Sequence, residues 1–306
     1  MIKLSLVIPA KSKDDPKLAD LLQSISAQDF PKDEMEVLVI TEGTSESAKA
    51  IGIRKAKGDV IGILASDNVL SHHESLSHLM RFYERPDWEK YGFGASFPSF
   101  YEHDWNDDIL NRYFALIGGN DPLAYYMRKN DRFPYWFRGI DLPYRDMRDL
   151  TIGDNGFFIL KSLIERTDLD NYYHIDNAQE AIAHNRVCVI NGEIKHNTGG
   201  SIVAFFHKRY RYGLQHAFNK NRRWHLVDFH KPKDIVRLLW FILATLSIIH
   251  PLILSIRGYL KIRDVAWFLH PVVCLITLFT YTILTVHIAL KNLFQSSFAR
   301  TEGARV

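Results

Sequence analysis

The chain has 306 residues, 47% of them hydrophobic and 24% charged, which is enough for one large domain with a substantial core plus an appendage. A net charge of +3 does not call for nucleic acid, and two cysteines, Cys188 and Cys274, build neither a disulfide framework nor a zinc cluster. A disordered tail and a small stapled module are both excluded.

The amino terminus, MIKLSLVIPA, has too short an apolar run for a signal peptide and no small-residue cleavage site, so it reads as a first strand. The polar part of the chain is therefore expected in the cytoplasm. KLADLLQSISAQ repeats apolar residues at helical spacing, MEVLVIT is a second strand, SAKAIGIRKAKG is helical, and DVIGILAS is a third strand. Strands alternating with helices up to about Pro98 predict a mostly parallel, Rossmann-like α/β sheet with right-handed crossovers. Ligands bind such sheets beyond the carboxyl ends of the strands. The three ends are Pro9-Ala10-Lys11, Thr41-Glu42-Gly43 and Ser66-Asp67-Asn68, and these loops should face one another.

From Phe100 to Tyr144 the sequence is rich in aromatics, Asp, Asn and Pro, and is expected to be a long irregular insertion that contacts a ligand. TIGDNGFFILKSLIERTDL then reads as a glycine-marked turn, a short strand and a helix, and YYHIDNAQEAIAHN as a loop entering another helix. The carboxyl third is different. Leu238 to Ser255 and Val265 to Leu290 contain no Asp, Glu, Lys or Arg, and each approaches the ~20 residues that cross a bilayer. They are predicted to be a pair of transmembrane helices. Arg222, Arg223, Lys231, Lys233 and Arg237 precede the first run, which favours a multi-pass protein of the cell membrane with its catalytic domain on the cytoplasmic side. The expected boundaries are a polar α/β domain over 1–218 (halves 1–98 and 99–218), a basic linker over 219–236, two membrane helices over 237–291 and a tail over 292–306.

The order LVIPAK, VLVITEGTSES, IGIRKAKGDVIGILASDN, GDNGFF, HIDNAQEA, then a His and a KRYRY cluster, resembles family 2 glycosyltransferases of the GT-A fold over roughly residues 1 to 215. The resemblance implies an inverting, metal-dependent transferase that takes a nucleotide-diphospho-sugar donor and a lipid-linked or glycan acceptor among membrane lipids. A sub-reading makes the acceptor polyprenyl phosphate itself, and a competing reading is a binding protein that keeps the fold with weakened catalysis. No nucleic-acid partner is implied.

By that resemblance Asp67 takes the place of the last acid of the Asp-X-Asp motif and holds Mn2+ or Mg2+. The local alternative is a turn-capping aspartate. The triplet here is Ala65-Ser66-Asp67, so the motif's first acid is absent and donor recognition is altered at that point. His196, in EIKHNTGG, matches the family's late metal-binding His, against the alternative of an ordinary surface or packed histidine. Asp176 matches the catalytic base that takes the proton of an acceptor hydroxyl. It also reads as a helix N-cap, and Glu180 competes for the base role. Pro9, Ala10, Lys11, Glu42, Arg54 and Ser66 are expected along the nucleotide and donor, with Arg54 on the nucleotide or its phosphates. Asp154 and Asn155 fall in the family's donor-sugar and acceptor loop. Lys208 and Arg211, in KRYRY, occupy the place of the Gln-X-X-Arg-Trp motif of processive relatives, either on diphosphate or on anionic lipid headgroups.

Overall fold

The structure, a computed structural model, describes residues 1–84, 93–140, 149–184, 186–198, 200–218 and 222–303. It divides into two compact units, Met1–Gly199 with Arg223–Val227, and Gly200–Arg222 with Asp228–Val306.

The first unit runs β1 (Leu4–Pro9), α1 (Pro16–Ser26), β2 (Met35–Ile40), α2 (Ser45–Lys55), β3 (Val60–Leu64), β4 (Asn68–Leu70), α3 (Ser75–Arg81), β5 (Phe93–Tyr101), α4 (Ile109–Ile117), α5 (Pro122–Met127), β6 (Asn155–Leu160), α6 (Lys161–Ile164), α7 (His174–Ala181) and β7 (Arg186–His196). The seven strands form one sheet in the order β2-β1-β3-β6-β5-β7-β4. The crossovers expected from the alternating pattern are present, because β1 lies parallel to both β2 and β3. The rest of the sheet corrects the expectation of a mostly parallel one. β6 is antiparallel to β3 and to β5, and β4 is antiparallel to β7, so three of the six pairings among the described residues are antiparallel. The reason is the route of the chain: β6 follows the long excursion after β5 and enters the sheet beside the carboxyl end of β3, so it has to run the opposite way.

β1 shows why its sequence is a continuous apolar run instead of an alternating one. Leu4, Leu6 and Ile8 pack with Leu18, Leu21 and Ile25 of α1 on one face, while Val7 packs with Ile53 of α2 on the other. A strand covered by helices on both faces has no solvent side to mark. The one polar residue within it, Ser5, is fully buried and satisfied: its hydroxyl donates to Glu36 Oε1 at 2.6 Å and accepts from Gly58 N at 2.8 Å. Asp15 caps α1 by accepting from Lys17 N at 3.0 Å, and a Thr44–Ser47 capping box starts α2.

The aromatic segment expected to be irregular contains α4 and α5, capped by Asp108 and Asp121. Two of the Asp residues that suggested loop are helix N-caps, so part of the polar composition marks helix starts. Residues 141–144 at the end of that segment lie outside the described residues.

The second unit contains α8 (Ile202–Phe218), α9 (Pro232–Ser247), α10 (Ile249–Lys261) and α11 (His270–Gly303). The first apolar run, expected as one membrane helix, is instead split between α9 and α10, which meet at an 84° bend. Ile248 at the corner has φ 63°, and the break leaves Pro251 in the first turn of α10, where its missing N–H costs no helical bond. Among the described residues one stretch, Val265–Asn292, which contains an 18-residue window of mean hydropathy 2.1, is long and apolar enough to cross a bilayer by itself. Along it the hydroxyls of Thr280, Thr282 and Thr285 each donate to the carbonyl four residues back, which satisfies them without water.

Gly58, just before β3, tests the packing of the two central strands. A Cβ there would sit 2.7 Å from the carbonyl carbon of Leu4 and 2.7 Å from Ser5 N, both backbone atoms of β1. Gly58→Ala is expected to destabilise the protein by about 1–3 kcal/mol in urea unfolding. Unchanged stability would mean that β1 and β3 are not held at this separation.

Candidate functional site

The carboxyl ends of β1, β2 and β3 lie side by side, as anticipated. Ala10 N donates to Ile40 O at 2.9 Å, which joins the ends of β1 and β2. Lys11 and Glu42 beyond them are exposed. Leu64 at the end of β3 faces Asn155 in the β3–β6 ladder, and one residue on Ala65 N donates to Asp154 O at 3.0 Å and to Asn68 Oδ1 at 2.9 Å. Asn68 N closes the turn on Ala65 O at 3.0 Å. The Ser-Asp tip is therefore a tight turn pinned on both sides, with Ser66 and Asp67 at its crest.

The short strand β4 carries this turn to the far side of the sheet. Asn68 stands opposite His196, the last residue of β7, and Asn197 N donates to Asp67 O at 2.8 Å. His196 Nε2 lies 3.4 Å from Asp67 Oδ1, so the two residues expected to share a metal are neighbours. The His196 ring rests against Tyr101, with centroids 5.5 Å apart, and its Nδ1 lies 3.1 Å from Asn120 Nδ2. Among the described residues no group of three or more His, Cys, Asp or Glu side chains could hold a metal ion. One carboxylate oxygen and one imidazole nitrogen do fit a hard divalent cation that takes its remaining ligands from phosphate oxygens and water. A recess of about 230 Å³, open solvent included, adjoins His196 and is lined by Glu102, Asp107, Asn111 and Asn120.

Beneath the turn is a buried polar network, most of which sequence reasoning missed. Asn68 Nδ2 donates to Asn155 Oδ1 at 3.0 Å, and Asn155 Nδ2 donates to Tyr101 Oη at 3.0 Å. Arg132, almost fully buried, donates to Asn155 O and lies over the Phe97 and Tyr101 rings. Lys49 of α2, 2% exposed, reaches Asp154 Oδ2 at 2.7 Å and Glu46 Oε1 at 2.9 Å. Burial pushes its ammonium down, but Asp154 and Glu46 together outweigh that and hold it above the usual lysine range. Burial likewise opposes ionisation of Asp154, and Lys49 overrides it, holding the carboxyl below the usual range. Glu46 Oε2 accepts from His174 N at 2.7 Å, and His174 Nδ1 lies 3.0 Å from Tyr172 Oη. Burial, then the Lys49 charge, push His174 down. The one signal in the sequence was helical spacing: Glu46 and Lys49 are three residues apart in the first half of α2, on its sheet-end side.

Other expected residues are placed elsewhere. Arg54 is on the surface, paired with Asp170. Asp176 is not an N-cap, since Tyr173 holds that position and Asp176 lies within the first turn of α7. It is buried, and its two oxygens accept from Arg223 N at 2.8 Å and Trp224 N at 2.6 Å. Glu180, one turn on, pairs with the Arg223 guanidinium at 2.6 Å. Lys208 and Arg211 are on α8 in the second unit. The chain does contain an Arg-Trp dipeptide, at Arg223–Trp224, and this is the segment that meets Asp176.

Lys49→Met leaves Asp154 and Glu46 without their ammonium. The expected loss is up to about 3 kcal/mol, the lower end for a broken buried pair, because both carboxylates keep some exposure. The pH dependence is the sharper readout. In the wild type Asp154 is depressed, so its contribution is present above the ordinary carboxylate pKa and is lost only as acid falls below it. In the variant the largest lowering influence is gone while desolvation remains, so Asp154 rises and the stability deficit should shrink as pH falls from neutral towards the ordinary carboxylate range. A deficit that is constant with pH would show that Asp154 does not depend on Lys49.

No protein-family model and no curated protein sequence matches the chain. Among solved structures, S. aureus TarS 1–349 in complex with UDP-GlcNAc is 13% identical over 72% of this chain and 68% of that one, with a TM-score of 0.43. Against a longer S. aureus TarS structure the identity is 14% and the TM-score 0.40, and the chain spans 41% of its length. The mannosyltransferase PcManGT from Pyrobaculum calidifontis, solved with GDP-Man and Mn2+, is 12% identical, and the match covers 96% of this chain and 87% of that one with a TM-score of 0.50. At that score the likeness to the mannosyltransferase is one of fold.

Proposed function

We propose that the chain is an inverting, membrane-associated glycosyltransferase of the family 2 type, moving a sugar from a nucleotide-diphospho-sugar to a lipid-linked or glycan acceptor at the cytoplasmic face. The observation that carries this reading is the meeting of Asp67 and His196 beyond the strand ends, on a fold shared with a mannosyltransferase solved with GDP-Man and Mn2+. Held by Asp67 and His196, Mn2+ or Mg2+ would neutralise charge on the departing nucleoside diphosphate.

Pro9, Ala10, Lys11, Glu42 and Ser66 border the nucleotide in this reading. Asp154 fills the place opened by Ala65, because it stands directly across the β3–β6 pair from that residue and brings a carboxylate to the same edge. Lys49, ion-paired with Asp154, takes the role the resemblance gave to Arg54. Asn155, whose amide is engaged by Asn68 and Tyr101, positions the turn. Lys208 and Arg211 meet anionic headgroups. α11 is the candidate span. The exposed Leu239, Leu243 and Leu246 of α9 and Leu252, Ile253 and Ile256 of α10 lie in the interface on either side of their bend.

Asp176 is the proposed base when the acceptor is a hydroxyl. It then acts once the Arg223–Trp224 segment releases one of its oxygens. A second reading has a specific support: both oxygens of Asp176 are already bonded, which suits a polyprenyl phosphate acceptor that arrives as an anion and needs no base.

Thermal shift against GDP- and UDP-sugars with and without Mn2+ tests the donor. A true donor at about a hundredfold its Kd should add about 2.7 kcal/mol of stability. Asp67→Ala should remove the Mn2+-dependent part of the shift, whereas Asp176→Asn should keep it and abolish transfer to a hydroxyl. Transfer retained by Asp176→Asn would point to Glu180 as the base or to the phosphate acceptor, and no shift with any nucleotide sugar would end the transferase reading. Membranes washed with alkaline carbonate should keep the protein, and its release would remove α11 as a span.

A further inference from the structure

We infer that Asn120 is the positioning residue that decides which nitrogen of His196 carries the ring proton, and so whether the Nε2 that faces Asp67 can take a cation; the inference rests on the cation reading above. Asn120 is fixed by its neighbours in the chain. α4 ends on Gly118 with φ 75°, where a Cβ would lie 2.5 Å from Phe133 O, and α5 starts on Asp121, whose carboxylate accepts from Leu123 N at 2.9 Å. Between these two caps Asn120 has little freedom, and its amide is held 3.1 Å from His196 Nδ1.

The His196 backbone is held as firmly. Lys17 Nζ donates to Asn197 O at 2.8 Å and to Thr198 O at 3.2 Å, and Asn111 Nδ2 donates to Asn197 Oδ1 at 3.2 Å. The ring lies against Tyr101, so what remains adjustable is the position of its proton.

A neutral imidazole carries one N–H and one lone pair. With the Asn120 amide nitrogen towards Nδ1, Nδ1 accepts, and the proton sits on Nε2, aimed at Asp67 Oδ1 3.4 Å away. That arrangement is closed, because no imidazole lone pair faces the space between His196 and Asp67. Turning the amide by half a turn presents Oδ1 to Nδ1. The ring proton then moves to Nδ1 and is donated to Asn120, and the Nε2 lone pair faces Asp67. An amide's nitrogen and oxygen ends have nearly the same shape, so the turn leaves the packing unchanged. Metal-binding histidines almost always donate their other N–H to an oxygen. One side chain thus supports a hydrogen-bonded Asp–His pair without cation and a ligating pair with it.

Mn2+ binding to the full-length protein in detergent, followed by electron paramagnetic resonance, reads this directly. Asn120→Asp, which only accepts, should bind Mn2+ about tenfold more tightly, and Asn120→Leu, which offers no oxygen, roughly 10- to 100-fold more weakly. A merely structural Asn120 would weaken both variants. Histidine 15N shifts of the wild type separate proton position from added charge: the His196 proton should sit on Nε2 without metal and on Nδ1 with Mg2+. A wild type that takes up no Mn2+ removes the cation reading itself. A wild type that binds, with Asn120→Asp no tighter or with the proton on Nε2 in the Mg2+ form, overturns the role of Asn120 alone.

Discussion

A lysine ammonium enclosed by protein must have counter-charge, since removing an ion from water costs about several kcal/mol even after relaxation. Lys49 meets that requirement with Asp154 on one side and Glu46 on the other. Much of the site depends on this arrangement. Asp154 also accepts, through its backbone, from Ala65, so the position of the ammonium is passed to the turn that carries Asp67. Glu46 passes it to the start of α7 through His174 N. α2, the β3–β4 turn, the entry to β6 and the entry to α7 are therefore tied together by one buried charge. A cluster of this kind gives geometric definition more than net stability, because its attraction is largely offset by desolvation.

Which parts were legible in the sequence follows from where the information sits. β1, α1, β2, α2 and β3 declare themselves because short apolar runs alternate with helical periodicity inside one stretch of chain. β5 reads as FGASFPSFY, where Gly, Ser and Pro interrupt the run, and its pairing with β7 bulges between Pro98 and Phe100. Bulges excuse the proline, but nothing local announces them. The reversal at β6 is equally silent, since strand direction is set by where the chain re-enters the sheet. In α2 both Lys49 and Arg54 are basic and helical, and only the packing of the helix shows that the first points to the strand ends while the second meets Asp170. Asp67 and His196 were paired by resemblance to a family, and β4 is the short device that makes them neighbours.

The split of the first apolar run has a similar cause. Hydropathy counts residues and cannot register a single left-handed corner, yet Ile248 turns the following helix by 84°. The cost of a positive φ at a β-branched residue is borne where Pro251 already prevents an uninterrupted helix. Each of the two helices is by itself shorter than the bilayer core requires, and only as a bent pair do they reach that length.

Ala65 is where these constraints meet. Two acids in a Ser-Asp turn would place both carboxylates on one strand end, next to Lys49 and its two partners. With Ala65 the edge keeps one acid from β3, Asp67, and draws the other from β6, Asp154, which is already neutralised by the lysine. The acids at this edge are then divided between an Asp67–His196 pair and an Asp154–Lys49 pair in which the carboxylate is compensated. For the transferase proposed above, the absence of that acid still leaves a second carboxylate at the edge, supplied by Asp154 from the entry to β6.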